Sequence, residues 1–501
     1  MSQSQALVNY LSNTKPQDVN PEYLAYLSNL ASVKAVAPAV AAGIIGELES
    51  QRLNLKLIAS ENYSSLASQS AMGNLLTDKY AEGYVDHRFY AGCDNVDAIE
   101  GYAAAKACEI FGADFAYVQP HSGADANLIA YWAILSTKIE TPALDKIGDT
   151  NLSHLSREQW ETLRQAMGNQ RLMGLDYYSG GHLTHGYRNN VSARMFDAYT
   201  YSVNPETNLL DYDAIEKMAM EIKPLILLAG YSAYPRLIDF KRMREIADKC
   251  GAVFMVDMAH FAGLVAGKVF TGNYNPVAHA QVVTTTTHKT LRGPRGGMVL
   301  CTKEFQEAME KGCPLVIGGP LPHIMASKAV AFTEAAQPSF KTYAQNIVLN
   351  AKTLAAELVA QGNTLSTGGT DNHLMLIDVR QYDINGRQAE NAMRECGITL
   401  NRNSLPFDPN GPWYTSGLRI GTPAVTTLGM GTEEMKEIAS IITLVLKNIK
   451  AAVKKDGEQS KAKYILDENA KNEASKRVHT LLDKYPVYPQ LDLVFLKKEF
   501  T

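Results

Sequence analysis

The sequence predicts an α/β protein with a large domain, a smaller C-terminal α/β domain and an N-terminal helical arm. Three observations predict it. Short apolar, β-branched runs alternate with helical patterns through the middle of the chain, several runs end abruptly in polar residues, and the composition shifts near residue 335. Across 501 residues, 46% of side chains are apolar and 20% charged, ordinary globular usage and enough for a large core.

Residues 1–45 are expected to form an arm of helical pieces separated by Pro16, Pro21 and Pro38, suited to packing on a partner. The large domain, 46–335, holds four strand-like segments that bear on function. Residues 115–118 lead into Gln-Pro-His-Ser-Gly-Ala-Asp-Ala-Asn and an apolar helix from Leu128. Residues 225–230 end at Tyr-Ser-Ala-Tyr, 251–256 end at Asp257, and 281–287 run into His288 and Lys289. Ligands of open α/β sheets sit at the carboxyl ends of strands, so these polar ends are expected to share one crevice. An insertion at about 136–168 carries the capping-box pattern Ser156-Arg-Glu-Gln159. Trp160, Leu163 and Met167 follow at helical spacing with Gly168 as a terminator, predicting a surface helix packed through Trp160. Residues 336–501 predict the small domain: helix-like 344–362, strand-like 374–379, a charged helical stretch at 443–484 and an irregular tail from 485.

Lys plus Arg is 48 against 52 Asp plus Glu, a net charge of -4, which excludes a nucleic acid or an anionic membrane as the main partner. Six scattered cysteines do not read as a disulfide framework and fit a reducing cytoplasm. The start, Met-Ser-Gln-Ser-Gln, lacks the features of a signal peptide. The most apolar early stretch, 35–46, contains Pro38 and is too short for a span of about 20 residues, so a soluble cytoplasmic protein is expected.

Lys289 closes a β-branched run and precedes Leu-Arg-Gly-Pro-Arg-Gly-Gly, which would put an amine at a strand end beside turns that allow close ligand approach. Most lysines are solvated surface charges. A partly desolvated amine near other cations (His288, Arg292 and Arg295 are available) deprotonates more easily, as a Schiff-base lysine requires. Asp257, at the end of another apolar strand, is the carboxylate that pyridoxal phosphate needs to keep its ring nitrogen protonated. Alone it would read as a cap or an ion-pair partner; with Lys289 the cofactor reading prevails. Ser122-Gly123-Ala124, between strand and helix, offers backbone N–H groups for a phosphate. Gly180-Gly181-His182 is weak by itself, and His182 with His185 lacks the companions of a metal site, so no metal is expected.

These residues belong to a longer pattern. Residues 283–297 (VTTTTHKTLRGPRGG) resemble the cofactor-lysine signature of serine (glycine) hydroxymethyltransferases, the bacterial type in particular. The resemblance runs from about residue 45 to 488 and includes LIASENY from Leu57, KYAEGY from Lys79, GGHLTH from Gly180, DMAHFAG from Asp257, GTDNH from Gly369 and SGLRIGTP from Ser416. It implies the fold-type-I pyridoxal-phosphate transferase, with a large mixed sheet. It also implies reversible interconversion of serine and glycine through aldimine and quinonoid states of the cofactor, the one-carbon unit passing to tetrahydrofolate, and a homodimer with shared sites. Lys289 would be the covalent anchor, Asp257 the partner of the ring nitrogen, and His182 would stack on the ring. Ser232 and His260 would meet the ring hydroxyl region. Ser122, Gly123, Ala124 and His288 would surround the phosphate, with Tyr80, Gly318 and Gly319 contributed by the second subunit. Thr286 joins the catalytic set beside Lys289. Arg419 would clamp the substrate carboxylate, supported by Ser60 and Tyr90, and Glu82 would relay protons at the hydroxymethyl group. Tyr177, Gly181, His182, Leu183 and Glu82 would contact folate.

Three departures stand out. The family's Ser-Gly-Ser-Gln is Ser122-Gly123-Ala124-Asp125 here, so a hydroxyl is lost and weaker cofactor retention, by about 1 kcal/mol, is expected. Its Gly-Gly-Gln-Gly-Gly is Leu315-Val-Ile-Gly-Gly319, and Tyr177 stands where an aliphatic residue is common. Folate-independent cleavage of 3-hydroxy amino acids or alanine racemisation would use the same Lys289, Asp257 and Arg419; a catalytically silent scaffold would not need them.

Overall fold

The computed structural model describes residues 5–149 and 151–501. The arm comprises α1 (Gln5–Asn13), α2 (Pro21–Val36) and α3 (Pro38–Leu53). Pro21 and Pro38 open their helices, where the missing N–H costs nothing. The Asn20 side chain caps α2 at Tyr23 N. Tyr23, Leu27, Ile45 and Leu48 bury against Val487, Leu496 and Phe500, so the arm's apolar face packs on the C-terminal residues of its own chain.

Seven strands form the central sheet: β1 (Phe115–Tyr117), β2 (Arg171–Leu175), β3 (Asp197–Tyr201), β4 (Ile226–Gly230), β5 (Val253–Asp257), β6 (Val282–Thr286) and β7 (Gly297–Cys301). Their order is β1-β7-β6-β5-β4-β2-β3. Neighbours from β3 to β6 are parallel, and β7 runs antiparallel to both β6 and β1. The sheet is therefore mixed. Strands β4 to β7 are buried along their whole length because both faces are covered. Leu227, Phe254, Val256 and Val283 enter the core on one face, and Ile226, Leu228, Met255 and Val282 enter the core on the other. This explains the continuous apolar runs. Register places Gly230 beside Asp257 and Asp257 beside Thr284, so the carboxyl ends of β4, β5 and β6 open at one edge.

Helix α4 (Gly123–Leu135) follows β1, and the Ser122 side chain caps it by accepting from Asp125 N at 3.2 Å. A π-helical turn (Ser136–Glu140) and a short helix (Thr141–Ile147) lead to α5 (Arg157–Gly168). The Ser156–Gln159 capping box forms as expected. The packing differs: Leu163 is 2% exposed and Trp160 is 38% exposed. Leu163 is the buried residue of the helix and Met167, four residues on, is partly buried against the core, while Trp160 in the first turn lies past the end of that contact. Gly168 remains helical and Asn169 caps the helix at φ -91, without a left-handed stop.

Beyond α6 (Pro322–Ala335), the long α7 (Pro338–Ala360) carries the chain to a second sheet of β8 (Thr364–Leu365), β9 (Leu374–Asp378), β10 (Asn401–Asn403) and β11 (Gly417–Gly421). The order is β8-β9-β11-β10, antiparallel throughout. The stretch expected as one charged helix is instead α8 (Thr432–Lys447), an antiparallel ribbon of Ile449–Val453 with Gln459–Leu466, and α9 (Glu468–Lys484). Asp456-Gly457 turns the ribbon, with Gly457 at φ +87, a hairpin signal that the density of lysines obscured. The tail is not irregular throughout. Asp492 caps α10 (Leu493–Phe500), whose Leu496 and Phe500 dock on the arm. Among the described residues no helix is long and apolar enough to cross a membrane.

Candidate active site

Lys289 sits just past β6, where its Nζ donates to Thr286 Oγ1 at 3.0 Å and its carbonyl accepts from Asn62 Nδ2 at 2.9 Å. Gly293 N closes back on Thr287 O at 2.7 Å, with Arg292 in the left-handed region at φ 61. Burial pulls the Lys289 amine down to about 8; Arg419 and Arg295 push the same way and Asp257 opposes them. Of the three cations expected beside it, only Arg295 has that effect in full. Arg292 lies over the Tyr343 ring, 4.6 Å from its centroid. Burial lowers His288 to about 3, which leaves it neutral.

Asp257 ends β5 and is buried. Its Oδ2 accepts from Asn127 Nδ2 at 3.0 Å and lies 3.1 Å from His185 Nε2; its Oδ1 accepts from Ala259 N at 3.0 Å. Burial alone would raise this carboxyl. The His185 bond and the two nearby imidazoles, with Asn127, outweigh it and hold the group well below the carboxylate range. Asn127 is fixed in turn by Thr284 Oγ1, which donates to its Oδ1 at 2.5 Å, and donates itself to Thr184 Oγ1 at 2.7 Å. His182 Nδ1 faces the same Thr184 hydroxyl at 2.7 Å, and burial lowers its ring to about 4. Ligand-type atoms of His182, His185 and Asp257 lie within 4.8 Å of one another, a grouping a metal could use. Here His185 Nε2 is engaged with Asp257, His185 Nδ1 with His182 N, and His182 Nδ1 with Thr184, while Asn127 takes a further contact on Asp257.

On the other side of Lys289, the first turn of α4 presents the N–H groups of Gly123 and Ala124 under the Ser122 cap. Gly123 is required there, since a Cβ would lie 2.6 Å from Thr286 Cγ2. A Cβ at Gly297 would lie 2.1 Å from Ser122 O, so β7 presses on the same turn. His288 Nδ1 is buried with no hydrogen-bond partner among the described residues. An anionic Asp257, an amine poised at about 8, a helix N-terminus and an orphaned buried imidazole nitrogen together fit pyridoxal phosphate.

One pocket has a volume of about 340 Å³ and is lined by Ser60, Tyr177, Gly181, His182, Leu183, Ser232, His260, Lys289 and Arg419 among the expected residues. Arg419, on β11, is half-buried at the pocket wall, and desolvation lowers it to about 10. Its Nε donates to Asn401 Oδ1 at 3.1 Å and its Nη1 to Ser232 O at 2.7 Å, which leaves the guanidinium's remaining donors free for a carboxylate. His260 Nδ1 lies 3.3 Å from His373 Nε2, and burial keeps both rings neutral.

Tyr80, Glu82, Tyr90, Gly318 and Gly319 do not line this pocket. They gather elsewhere: Tyr90 OH donates to Glu82 Oε2 at 3.0 Å, and the Tyr80 and Tyr90 rings are 5.2 Å apart. A Cβ on Gly319 would lie 3.6 Å from the Tyr80 ring and 3.8 Å from Glu82 Cγ. Tyr90 is therefore joined to Glu82 and not to Ser60 and Arg419. Tyr80 is 62% exposed, Phe89 71% and Leu315 62%, so large apolar side chains surround the cluster.

Sequence reasoning missed Asn127, Thr184, His185 and Thr284 around Asp257. An Asn among Ala126, Ile129 and Ala130 on an apolar helix was the available signal. It also missed Asn401 to Ser404 and Thr415 on the pocket wall, which come from the small domain and carry no motif of their own.

The family model described as serine hydroxymethyltransferase matches residues 33–165 and 162–442, the two segments meeting inside α5. Proteins named serine hydroxymethyltransferase are 61% identical in Treponema pallidum (strain Nichols), over 99% of this chain and 86% of that protein. In Salinispora tropica the identity is 56%, over 95% of this chain and 99% of the relative, and in Mycolicibacterium smegmatis 55%, over 94% and 95%. With that geometry and these likenesses, the chain belongs to the serine hydroxymethyltransferase family.

Proposed function

We propose that Lys289, Asp257 and Arg419 form the reacting core of this enzyme and that Glu82 reaches that core from a second copy of the chain. As a serine hydroxymethyltransferase the protein reversibly interconverts serine and glycine and passes the one-carbon unit to tetrahydrofolate, with pyridoxal phosphate as cofactor. When bound, the cofactor supplies an electron sink for charge left on the amino acid's α-carbon. The residues around it do the rest. Lys289 gives the amine that holds it, Asp257 keeps a proton on its ring nitrogen, and His182, neutral and fixed by Thr184, suits stacking on its ring. Ser232 and His260 flank the ring hydroxyl region. Ser122, Gly123, Ala124 and His288 receive the phosphate. Arg419 orients the substrate by its carboxylate, with Ser60 beside it. Tyr177, Gly181 and Leu183 face the folate end, and Glu82 holds a proton at the serine side-chain oxygen.

The observation that carries this reading is the convergence of an amine and a guanidinium on one pocket of about 340 Å³, with the anionic Asp257 at the adjoining strand end acting on the pocket's Lys289 and His182. The cluster of Tyr80, Glu82, Tyr90 and Gly319, lying apart from the pocket among exposed aromatic residues, supports a homodimer in which each chain completes its partner's site. Residues 46–335 serve as the cofactor-binding domain, 336–501 as the substrate-clamping domain and 1–45 as the arm. A cytoplasmic setting suits six free cysteines.

Serine-to-glycine turnover with and without tetrahydrofolate tests the assignment. Turnover that depends on folate, and its loss in Lys289→Ala along with the visible absorbance of the bound cofactor, is expected; a fully active Lys289→Ala overturns it. Rates with allo-threonine and alanine alone that exceed folate-dependent turnover would favour the aldolase or racemase reading.

A further inference from the structure

Lys328, on α6, is one of the largest fully buried side chains in the protein, at 1% exposure. Its Nζ donates to Val118 O at 2.6 Å, Pro120 O at 2.9 Å and Gly297 O at 2.8 Å. An ammonium has three donors, and all three are used on main-chain carbonyls. Among the described residues no carboxylate forms an ion pair with it. Two of the carbonyls belong to the stretch from β1 into the Ser122–Ala124 turn; the third belongs to the first residue of β7, which presses on that turn from the other side. Gly297 N also donates to Pro120 O at 2.9 Å, so one carbonyl takes both the strand and the ammonium. Gly296 leaves the room needed: a Cβ there would lie 2.6 Å from Lys328 Cε and 3.1 Å from Nζ.

A buried charge costs free energy unless something requires it. Burial draws this amine down to about 7, with Glu100 and Asp125 the acidic groups that oppose the shift, while the three carbonyl acceptors call for the three N–H donors that only the charged form has. Carbonyl oxygens alone could have been met by a neutral donor. A cation directly behind a helix N-terminus adds the same sign of potential that the helix itself directs at an anion.

We propose that Lys328 is a positioning residue for the cofactor phosphate: it clamps the Val118–Pro120 main chain so that the Ser122–Ala124 turn keeps its N–H groups convergent, and its charge strengthens the turn as an anion site. This role rests on Ser122–Ala124 receiving the phosphate, as proposed above.

The test compares pyridoxal phosphate with pyridoxal, which has the same aldehyde and ring but no phosphate. Both are titrated into the full-length apoenzyme and followed by absorbance. Lys328→Met should weaken pyridoxal phosphate about tenfold or more, the worth of a charge-assisted hydrogen bond, and change pyridoxal by less than about twofold. Gly296→Ala, which crowds the Lys328 stem, should show the same phosphate-selective loss in smaller measure and serves if Lys328→Met does not fold. Equal weakening of both ligands, or no weakening of pyridoxal phosphate, overturns the role of Lys328. Ser122→Ala separates the two layers. If it is phosphate-selective while the Lys328 and Gly296 variants are not, only the positioning role fails; if Ser122→Ala is not phosphate-selective either, the cradle itself is misassigned.

Discussion

His185 Nε2 lies 3.1 Å from Asp257 Oδ2 and, with Asn127, occupies one oxygen of the carboxylate at the base of the site. The arrangement leaves Asp257 ionised in a fully buried setting, which is what a partner of a protonated ring nitrogen must be. His185→Leu should therefore lower kcat by about 10- to 100-fold, the cost of losing a charge-assisted bond, with a much smaller change in serine KM. Steady-state kinetics check the split; a variant that loses only KM contradicts it. The pH consequence has a definite sign. Asp257 is held below its ordinary value in the fold, so it stabilises the folded chain above the ordinary carboxylate range and loses that contribution as pH falls toward its depressed value. Removing His185 brings that loss to higher pH, and acid unfolding of His185→Leu should begin earlier than in the native chain.

Lys289 predicts a second pH effect. Its amine is drawn down to about 8, so the fraction able to attack an aldehyde rises through that pH and levels above it, well short of an ordinary lysine. Stopped-flow capture of pyridoxal by the apoenzyme should follow this profile. Arg419→Gln removes a charge that pushes the amine down and should move the midpoint upward. A profile still climbing past about 10, where free lysine titrates, contradicts the local environment described for Lys289.

Much of this was legible in the sequence, for physical reasons that differ by residue. Strand β5 ends in Asp257, and β6 gives way to Lys289 three residues on, because a buried strand is apolar or β-branched until the sheet stops, and the transition itself marks the crevice. Asn127 and His185 were not legible, since their value lies in meeting Asp257 across the fold from separate segments. Trp160 misled because the helical stripe fixes a face without fixing where along the helix the support ends. The ribbon at 449–466 was hidden by charge, which favours solvent exposure in a strand as readily as in a helix. Glu82 lies in a matched motif and Tyr90 is implied by the resemblance, but neither indicates that both sit away from the pocket of their own chain.

Asn401 holds the Arg419 guanidinium by its Nε at 3.1 Å while Ser232 O holds Nη1 at 2.7 Å. These two contacts set the plane of the fork that meets the substrate carboxylate. Asn401→Ala should raise serine KM about tenfold and leave kcat within about twofold, because the loosened Arg419 binds ground and transition states equally less well. A drop in kcat with KM unchanged would assign Asn401 to the chemistry instead.

The separate cluster of Glu82, Tyr80 and Tyr90 makes a prediction that a single-chain site cannot satisfy. Lys289→Ala and Glu82→Gln should each be inactive alone. Co-expressed, they should form hybrid dimers in which one site joins an intact Lys289 from one chain to an intact Glu82 from the other, restoring about a quarter of native activity under random pairing. No recovery, with hybrids demonstrated by mass spectrometry, would place Glu82 in the site of its own chain.

Ala124 is the departure most open to direct repair. It occupies the second position of α4, exposed, with its backbone N–H pointing where Ser122 and Gly123 begin the cradle. The Ser122 hydroxyl accepts from Asp125 N at 3.2 Å, which fixes its oxygen and leaves its single O–H as the one side-chain donor of this turn for a phosphate. A hydroxyl at position 124 would supply the missing donor without disturbing the helix, since serine suits the first turn. Ala124→Ser should tighten pyridoxal phosphate by about 1 kcal/mol, roughly fivefold in Kd, and leave pyridoxal unchanged. Titration of the apoenzyme with each ligand checks this. An unchanged Kd for pyridoxal phosphate would mean that the cradle depends on backbone N–H groups and the positive charge behind them, and that the lost hydroxyl never mattered to this chain.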